Sequence, residues 1–210
     1  DALVRRLKPR GVLARNDVKV REREGLARET KTLWGEVPDS VDIQEGSVTL
    51  SVDVINGQKT GTFLDQSRNH VEFGRLARGR VLDAFCHDGG FGLQAARNPA
   101  VREGVAVDIS AEALVRAQAN AAGNALTLQT LEANVFDFLT DEVAAGSRYD
   151  TIALDPPAFA KTKGARDAAW RGYKEINRRA LQLLEPGGML LTCSCSYHVS
   201  EEEFEAVVAD

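Results

Sequence analysis

Apolar and polar residues alternate from Val41 to Val54: Val41 and Ile43, then Val48, Leu50, Val52 and Val54, with Gln44–Ser47 between them as turn material. A period of two puts these side chains on one face, so the stretch predicts a β-hairpin with a single buried side. After the polar segment 56–70 the pattern changes. Short apolar runs at RVLDAF (80–85), GVAVDI (104–109), LTLQTL (126–131), YDTIALDPP (149–157) and GGMLLTCSC (187–195) alternate with helical segments. The helices are expected over Phe91–Arg97, over Ala111–Ala122 behind an N-capping Ser110, and over Ala168–Leu184. In the last of these Tyr173, Ile176, Ala180 and Leu183 recur at helical spacing, giving one apolar stripe to lay on a sheet. Parallel strands need crossover helices of fixed hand, so five such units in a row predict an α/β fold with a doubly wound parallel sheet. Residues 58–210 form that domain and residues 1–57 a separate small α+β piece carrying the hairpin. No internal repeat or low-complexity tract interrupts the chain.

Composition narrows the class. With 43% apolar residues in 210, the chain can bury a sizeable core. No apolar run reaches membrane-spanning length and the opening DALVRRLKPR has no secretory apolar stretch, so a soluble, cytoplasmic protein with no membrane partner is expected. The chain opens in mid-pattern without Met, which reads as a piece of a longer protein. Three cysteines, Cys86, Cys193 and Cys195, predict no disulfide framework. The formal charge of −5 averages two unlike parts, because residues 1–31 hold ten Lys/Arg against five Asp/Glu. A basic arm on an acidic body can serve nucleic acid locally, but on charge alone a solvated charged face is the better reading.

In an open parallel sheet, ligands bind beyond the carboxyl ends of the strands, near the switch point beside the first strand. That rule selects LDAFCHDGGFG, residues 82–92. Gly89, Gly90 and Gly92 permit a tight turn and let a ligand approach the backbone N–H groups that open the next helix. The second strand ends in Asp108, where a carboxylate can accept from both ribose hydroxyls, so a nucleoside-containing cofactor is expected. The glycine spacing is not G-x-G-x-x-G. Asp83 discriminates further: a carboxylate at the end of the first strand repels a pyrophosphate and suits an ammonium. S-adenosylmethionine has an amino-acid ammonium and no phosphate, and it fits better than the dinucleotide of a dehydrogenase. LDAFCHDGGFG followed by VDIS resembles the first motif and acidic second strand of the Rossmann-like class I methyltransferases. By that resemblance an acid or amide at Asn134 binds the adenine amine. The alternative is an Asn that caps its loop, and Asp137 is a less favoured substitute.

The fourth strand runs into LDPPAFAKTK. Two consecutive prolines remove two donors and stiffen the backbone, leaving carbonyls and the Asp155 side chain directed at a cleft that can grip a planar base. The pattern (D/N)PP(Y/F) is shared by amino-group methyltransferases acting on nucleic-acid bases. The fifth strand lies beside the fourth and ends in TCSCSYH, which brings Cys195 near Asp155. Carbon 5 of a pyrimidine is a poor nucleophile; attack of a thiolate on carbon 6 makes it enamine-like, and a cysteine is what that chemistry requires. Amino-nitrogen targets require none. Two strand-end cysteines also fit simple packing or half of a metal site, but no C-x-x-C pair exists and His87 and His198 lack ligand spacing, so no metal is expected.

Taken in order, GQKTGTFLDQSRNH, VLDAFCHDGGFG, LDPPAFAKTK, GYKEINRRALQLLEPGG and TCSCSYH resemble the ribosomal large-subunit 23S rRNA cytosine-5 methyltransferase family whose members begin with a PUA domain. The similarity runs from about Gly11 to Phe204. It implies S-adenosylmethionine as cofactor and 23S rRNA as substrate, and leaves a homodimer open. It also implies that Cys195 is the nucleophile, with Cys193 left to packing, and that Asp155 holds or protonates the cytosine N3 edge while contributing to the cofactor site. Asp83, Phe85, Gly89, Gly90, Asp108, Ile109 and Asn134 complete the implied cofactor site. Lys59, Thr60, Gly61, Asp65, Gln66 and Arg68 are implied to form a wall over cofactor or substrate, with Thr60 and Gln66 on the cofactor and Gln66 the main contact. Pro156, Pro157, Lys161 and Arg68 are implied to meet the substrate. A PUA domain is expected before Asp1, and a further helix and antiparallel hairpin after EEEFEAVVAD, since the complete sheet has seven strands. Ala158 stands where many RNA cytosine-5 methyltransferases carry a second Cys. The base that takes the carbon-5 proton is Asp155 or an ordered water. The rival readings are an amino- or ring-nitrogen methyltransferase and a non-catalytic RNA-binding assembly factor.

Overall fold

The computed structural model describes residues 2–57, 61–160, 164 and 166–209. They divide into two compact units, one of Asp1–Ile43 with Ser51–Phe63 and one of Gln44–Leu50 with Leu64–Asp210. In the first, α1 (Ala2–Leu7) leads to β1 (Gly11–Asn16), the single turn α2 (Val20–Arg23) and β2 (Glu29–Gly35). β1 and β2 pair antiparallel from Gly11 opposite Gly35 to Asn16 opposite Glu29, with an irregularity between Val12 and Leu13. β2 is exposed along its whole length, Leu33 and Trp34 included, so it carries no alternation by which its sequence could be read as a strand. Arg15 donates to the Asp17 carboxylate at 2.8 Å and to the Gly57 carbonyl, and its hydrogen bond holds the Asp17 carboxyl below the usual range.

The predicted hairpin is β3 (Ser40–Glu45) and β4 (Val48–Asp53), and the division into units passes through it. Val48, Leu50 and Val52 are buried, as period two requires. Val41 is 39% exposed, so β4 rather than the whole hairpin carries the buried face. Glu45, expected as turn material, is buried.

The second unit begins with a 3-10 turn (Leu64–Gln66) and α3 (Ser67–Leu76) and continues as β5 (Gly79–Ala84), α4 (Gly90–Ala96), β6 (Val101–Asp108), α5 (Ala111–Gly123), β7 (Gln129–Glu132), α6 (Val135–Ala144), β8 (Tyr149–Leu154), α7 (Arg166–Leu183), β9 (Leu184–Thr192) and α8 (Glu201–Ala209). The five strands form one parallel sheet in the order β7-β6-β5-β8-β9, the doubly wound arrangement the alternation predicts. Side chains of a strand leave alternately on the two faces, and both faces are covered. Leu82, Ile152 and Leu154 pack with Tyr149 and the α7 stripe of Tyr173, Ile176, Ala180 and Leu183 on one side. Val81 and Ala153 pack with Phe73 and Ala77, at the C-terminal end of α3, and with Phe91 and Ala95 of α4 on the other. Chain order reverses between β5 and β8, so their carboxyl ends open the crevice at the switch point.

Candidate functional site

Asp83, one residue before the end of β5, is 1% exposed. Its Oδ2 accepts the Gly92 N–H at 2.7 Å, whereas its Oδ1 has no partner among the described residues. Burial pushes the carboxyl up to about 7, with Asp155 and Asp108 adding repulsion and the Gly92 N–H and His70 opposing it. An orphaned, buried acceptor in a carboxylate raised by desolvation is the feature a cationic ligand would complete.

Between β5 and α4 the backbone takes left-handed conformations at Phe85 (φ 63°), His87 (φ 48°) and Gly89 (φ 85°). The first two are not glycines, and such residues cost on the order of 1–3 kcal/mol each, so surrounding bonds must impose them. Those bonds are present. Cys86 N–H continues the ladder to Val107 O, His87 N–H donates to Asp108 Oδ2 at 2.8 Å, and Gly89 N–H donates to Cys86 O at 2.7 Å. Asp108 also accepts the Ser110 N–H through Oδ1 at 2.9 Å, which fixes its carboxylate while leaving lone pairs on both oxygens. Ile109, just beyond, is 71% exposed and offers an apolar face at the tip of β6.

Behind the turn lies a pair that sequence reasoning missed. His70 Nδ1 bonds Glu45 Oε1 at 2.8 Å, both residues are buried, and the Gln94 amide donates to Glu45 O at 2.5 Å. The imidazole packs edge-on to Phe91 at 4.4 Å and covers Gly90 so closely that a Cβ there would lie 2.3 Å from Cε1. A glutamate in turn-forming sequence carries no sign that its carboxylate will be buried; only the packing of α3 against α4 shows it.

Asn134 is the N-cap of α6, its side chain accepting the Phe136 N–H at 2.9 Å, which is the alternative the sequence left open. Asp137 follows in the first turn of that helix. Phe85 lies within an aromatic group with Phe136 (centroids 6.3 Å apart) and Phe159 (6.4 Å).

At the tips of β8 and β9 the expected residues come together. Asp155 Oδ2 accepts from the Gln66 amide at 3.0 Å, and Asn69 in turn donates to Gln66 Oε1 at 2.6 Å, so Gln66 holds Asp155 directly. Pro156 is buried and Pro157 exposed. Cys193 continues the ladder, its N–H on Leu154 O at 2.8 Å. Burial, then repulsion from Asp155, pushes its thiol up to about 12, against a hydrogen bond from Gln66, so Cys193 is a protonated neighbour of Asp155. Cys195 is exposed, and its Sγ lies 3.7 Å from Pro156 O, a carbonyl followed by a residue with no N–H. Cys86 is buried, and desolvation followed by nearby Asp83, Asp108 and Asp88 pushes its thiol far up. Asp65 is exposed in the 3-10 turn and Arg68 at the start of α3, and Gly61 belongs to the first unit. Lys59, Thr60 and Lys161 lie outside the described residues. Among the described residues no group of three or more His, Cys, Asp or Glu could hold a metal, and no helix is long and apolar enough to cross a membrane.

Residues 16–204 match the family described as S-adenosylmethionine-dependent methyltransferase. A Tolumonas auensis protein named ribosomal RNA large subunit methyltransferase I is 45% identical over an alignment of 205 positions that covers 95% of this chain and 51% of that protein. A Vibrio vulnificus protein of the same name is 40% identical over 100% of this chain and 54% of its own length. The chain thus spans about half the length of these curated relatives. Among solved structures, a chain provisionally described as a methyltransferase complexed with S-adenosylhomocysteine (SAH) superposes with a TM-score of 0.75 at 24% identity, over 85% of this chain and 48% of its own. The S-adenosylmethionine-dependent methyltransferase from Agrobacterium tumefaciens does so at 0.72 and 18%, over 86% and 60%. Both share the fold.

Proposed function

Because this chain belongs to the S-adenosylmethionine-dependent methyltransferase family, we propose that the protein methylates carbon 5 of a cytosine in 23S rRNA through a covalent bond from Cys195. The relatives named ribosomal RNA large subunit methyltransferase I favour a large-subunit rRNA substrate, and one observation carries the chemistry: an exposed thiol at the Pro156 carbonyl, on the strand tip beside Asp155. The residues present fit the cofactor. The unpartnered Oδ1 of Asp83 would take the methionine ammonium, Asp108 the ribose hydroxyls, the backbone of Phe85–Gly90 the chain between them, and Ile109 with Asn134 the adenine. When bound, S-adenosylmethionine supplies an electrophilic methyl group on a sulfonium.

The protein's own residues do the rest. Cys195, as thiolate, adds to carbon 6 of the cytosine and raises the electron density at carbon 5. Asp155, steadied by Gln66, gives its proton to N3 as the sulfur adds, so that the electron pair pushed into the ring is not left there as negative charge. Pro156 and Pro157 wall the base, and the exposed Arg68 meets the RNA backbone beside it. After carbon 5 is methylated, loss of its proton to Asp155 or to an ordered water expels the Cys195 sulfur and restores the aromatic ring.

The test is nucleoside mass spectrometry of unmodified 23S rRNA incubated with the full-length protein and labelled cofactor. 5-Methylcytosine is expected from the unaltered protein and none from Cys195→Ala. A methylated guanine or adenine would transfer the reading to nitrogen methylation with Asp155-Pro156-Pro157 as the grip, and a Cys195→Ala protein that still makes 5-methylcytosine would overturn the nucleophilic role of Cys195.

A further inference from the structure

The two serines that flank Cys195 are tied to one phenol. Tyr173, midway along α7, is fully buried, with its ring 4.7 Å from Phe159 and edge-on to Phe204 at 5.2 Å. Its hydroxyl accepts from Ser194 Oγ at 3.0 Å and lies 2.8 Å from Ser196 Oγ. Ser196 Oγ also accepts the Ala160 N–H at 3.1 Å. With Ser194 donating, the phenol proton goes to Ser196, so a single chain of hydrogen bonds runs from Ser194 through Tyr173 to Ser196 and is closed by Ala160. That chain joins two loops: the exit of β9, which carries Cys195, and the loop that follows Asp155-Pro156-Pro157.

The network takes over where the sheet stops. β9 ends at Thr192, and the last ladder bond onto β8 is the Cys193 N–H on Leu154 O. Beyond it, no strand pairing fixes residues 194–196, yet the thiol between them must present one geometry to a reacting carbon. Reacting groups displaced by about 1 Å can lose on the order of a hundredfold in rate. The α7 stripe needs only an aromatic ring at position 173, which Phe would supply; the hydroxyl is additional to packing.

We propose that Tyr173 is a positioning residue that holds the Cys195 thiol at the Pro156 carbonyl by clamping Ser194, Ser196 and Ala160 in one hydroxyl network. The proposal rests on the reading of Cys195 as the nucleophile. It is tested in the full-length protein by two separate readouts on Tyr173→Phe and Ser196→Ala: turnover to 5-methylcytosine, and the rate of alkylation of each cysteine by iodoacetamide, resolved by peptide mass spectrometry. Tyr173→Phe is expected to lower kcat about 10- to 100-fold, to leave KM for the cofactor and SAH affinity within about twofold of the unaltered protein, and to raise alkylation of Cys195 several-fold while Cys86 stays protected. Adding Ser196→Ala to Tyr173→Phe is expected to change little more, because both break the same chain. Unchanged Cys195 alkylation in Tyr173→Phe would overturn the clamp whatever happens to turnover. Joint exposure of Cys86 and Cys195 would reduce Tyr173 to a core residue and overturn it too. If Cys195→Ala proved fully active, the nucleophile reading would fall, whereas the alkylation rates would still judge the clamp by themselves.

Discussion

Asp83 shows how one side chain couples stability to ligand choice. Its carboxyl rises from 3.8 to about 7 in the folded chain because burial disfavours the charge, a difference on the order of 4 kcal/mol. Between those two pH values the folded chain holds a proton that the unfolded chain has released, so stability from this group is present at low pH and is lost as pH rises through about 7. A bound ammonium reverses the preference by pairing with the carboxylate. Calorimetric titration of the full-length protein with SAH from pH 6 to 8.5 is therefore expected to show affinity rising through about pH 7 and then levelling. Asp83→Asn should flatten that profile and weaken binding at pH 8 by about 10- to 100-fold, the loss of one charged hydrogen bond. A steep profile retained by the Asn protein would assign the titration to another group. The same scale separates the two strand-end thiols. In sequence Cys193 and Cys195 differ only by register; in the fold one lies against Asp155 with its thiol pushed up to about 12, and the other is exposed.

At the scale of elements, local signals are legible where a side chain satisfies its own backbone and faint where an element is defined by its neighbours. Ser110 stands out as an N-cap by its place before an apolar periodic run, and it accepts the Ala113 N–H at 3.2 Å. Ser110→Ala should cost about 1 kcal/mol in a denaturant titration. α3 has no apolar stripe to mark it, because its buried residues are His70, Phe73 and Gly74, two of which carry no apolar signal. α6 has no unambiguous start signal, because Asn134 suits an adenine contact as well as a cap. The contact between α3 and α4 makes its own prediction: Gly90→Ala would place a methyl group against the His70 ring, which is braced by Glu45 and Phe91 and has no room to retreat. A loss of about 1–3 kcal/mol is expected, together with weaker SAH binding as the Gly89–Gly90 turn shifts. Equal affinity in the variant would show that the turn tolerates movement.

Across the whole molecule, the parallel sheet is the frame on which the site depends. Leu82 in the central strand is fully buried among Ile152, Leu154 and the α7 stripe, and Leu82→Ala should cost about 2–5 kcal/mol in unfolding free energy, read from the denaturant midpoint at unchanged slope.

Five apolar runs with helical segments between them were enough to specify the sheet, because parallel pairing, crossover hand and two covered faces leave few arrangements for that pattern. The strand tips followed from it, and with them the neighbourhood of Asp83, Asp108, Asp155 and Cys195. Tertiary structure alone decided which atoms those residues present: the orphaned oxygen of Asp83, the amide of Gln66 on Asp155, the buried Glu45–His70 pair, and the Tyr173 hydroxyl between two serines. Periodicity reports only which face of an element is apolar. Hydrogen bonds between residues 20 or more positions apart depend on the angle at which two elements meet, and that angle is set by packing that no single segment encodes.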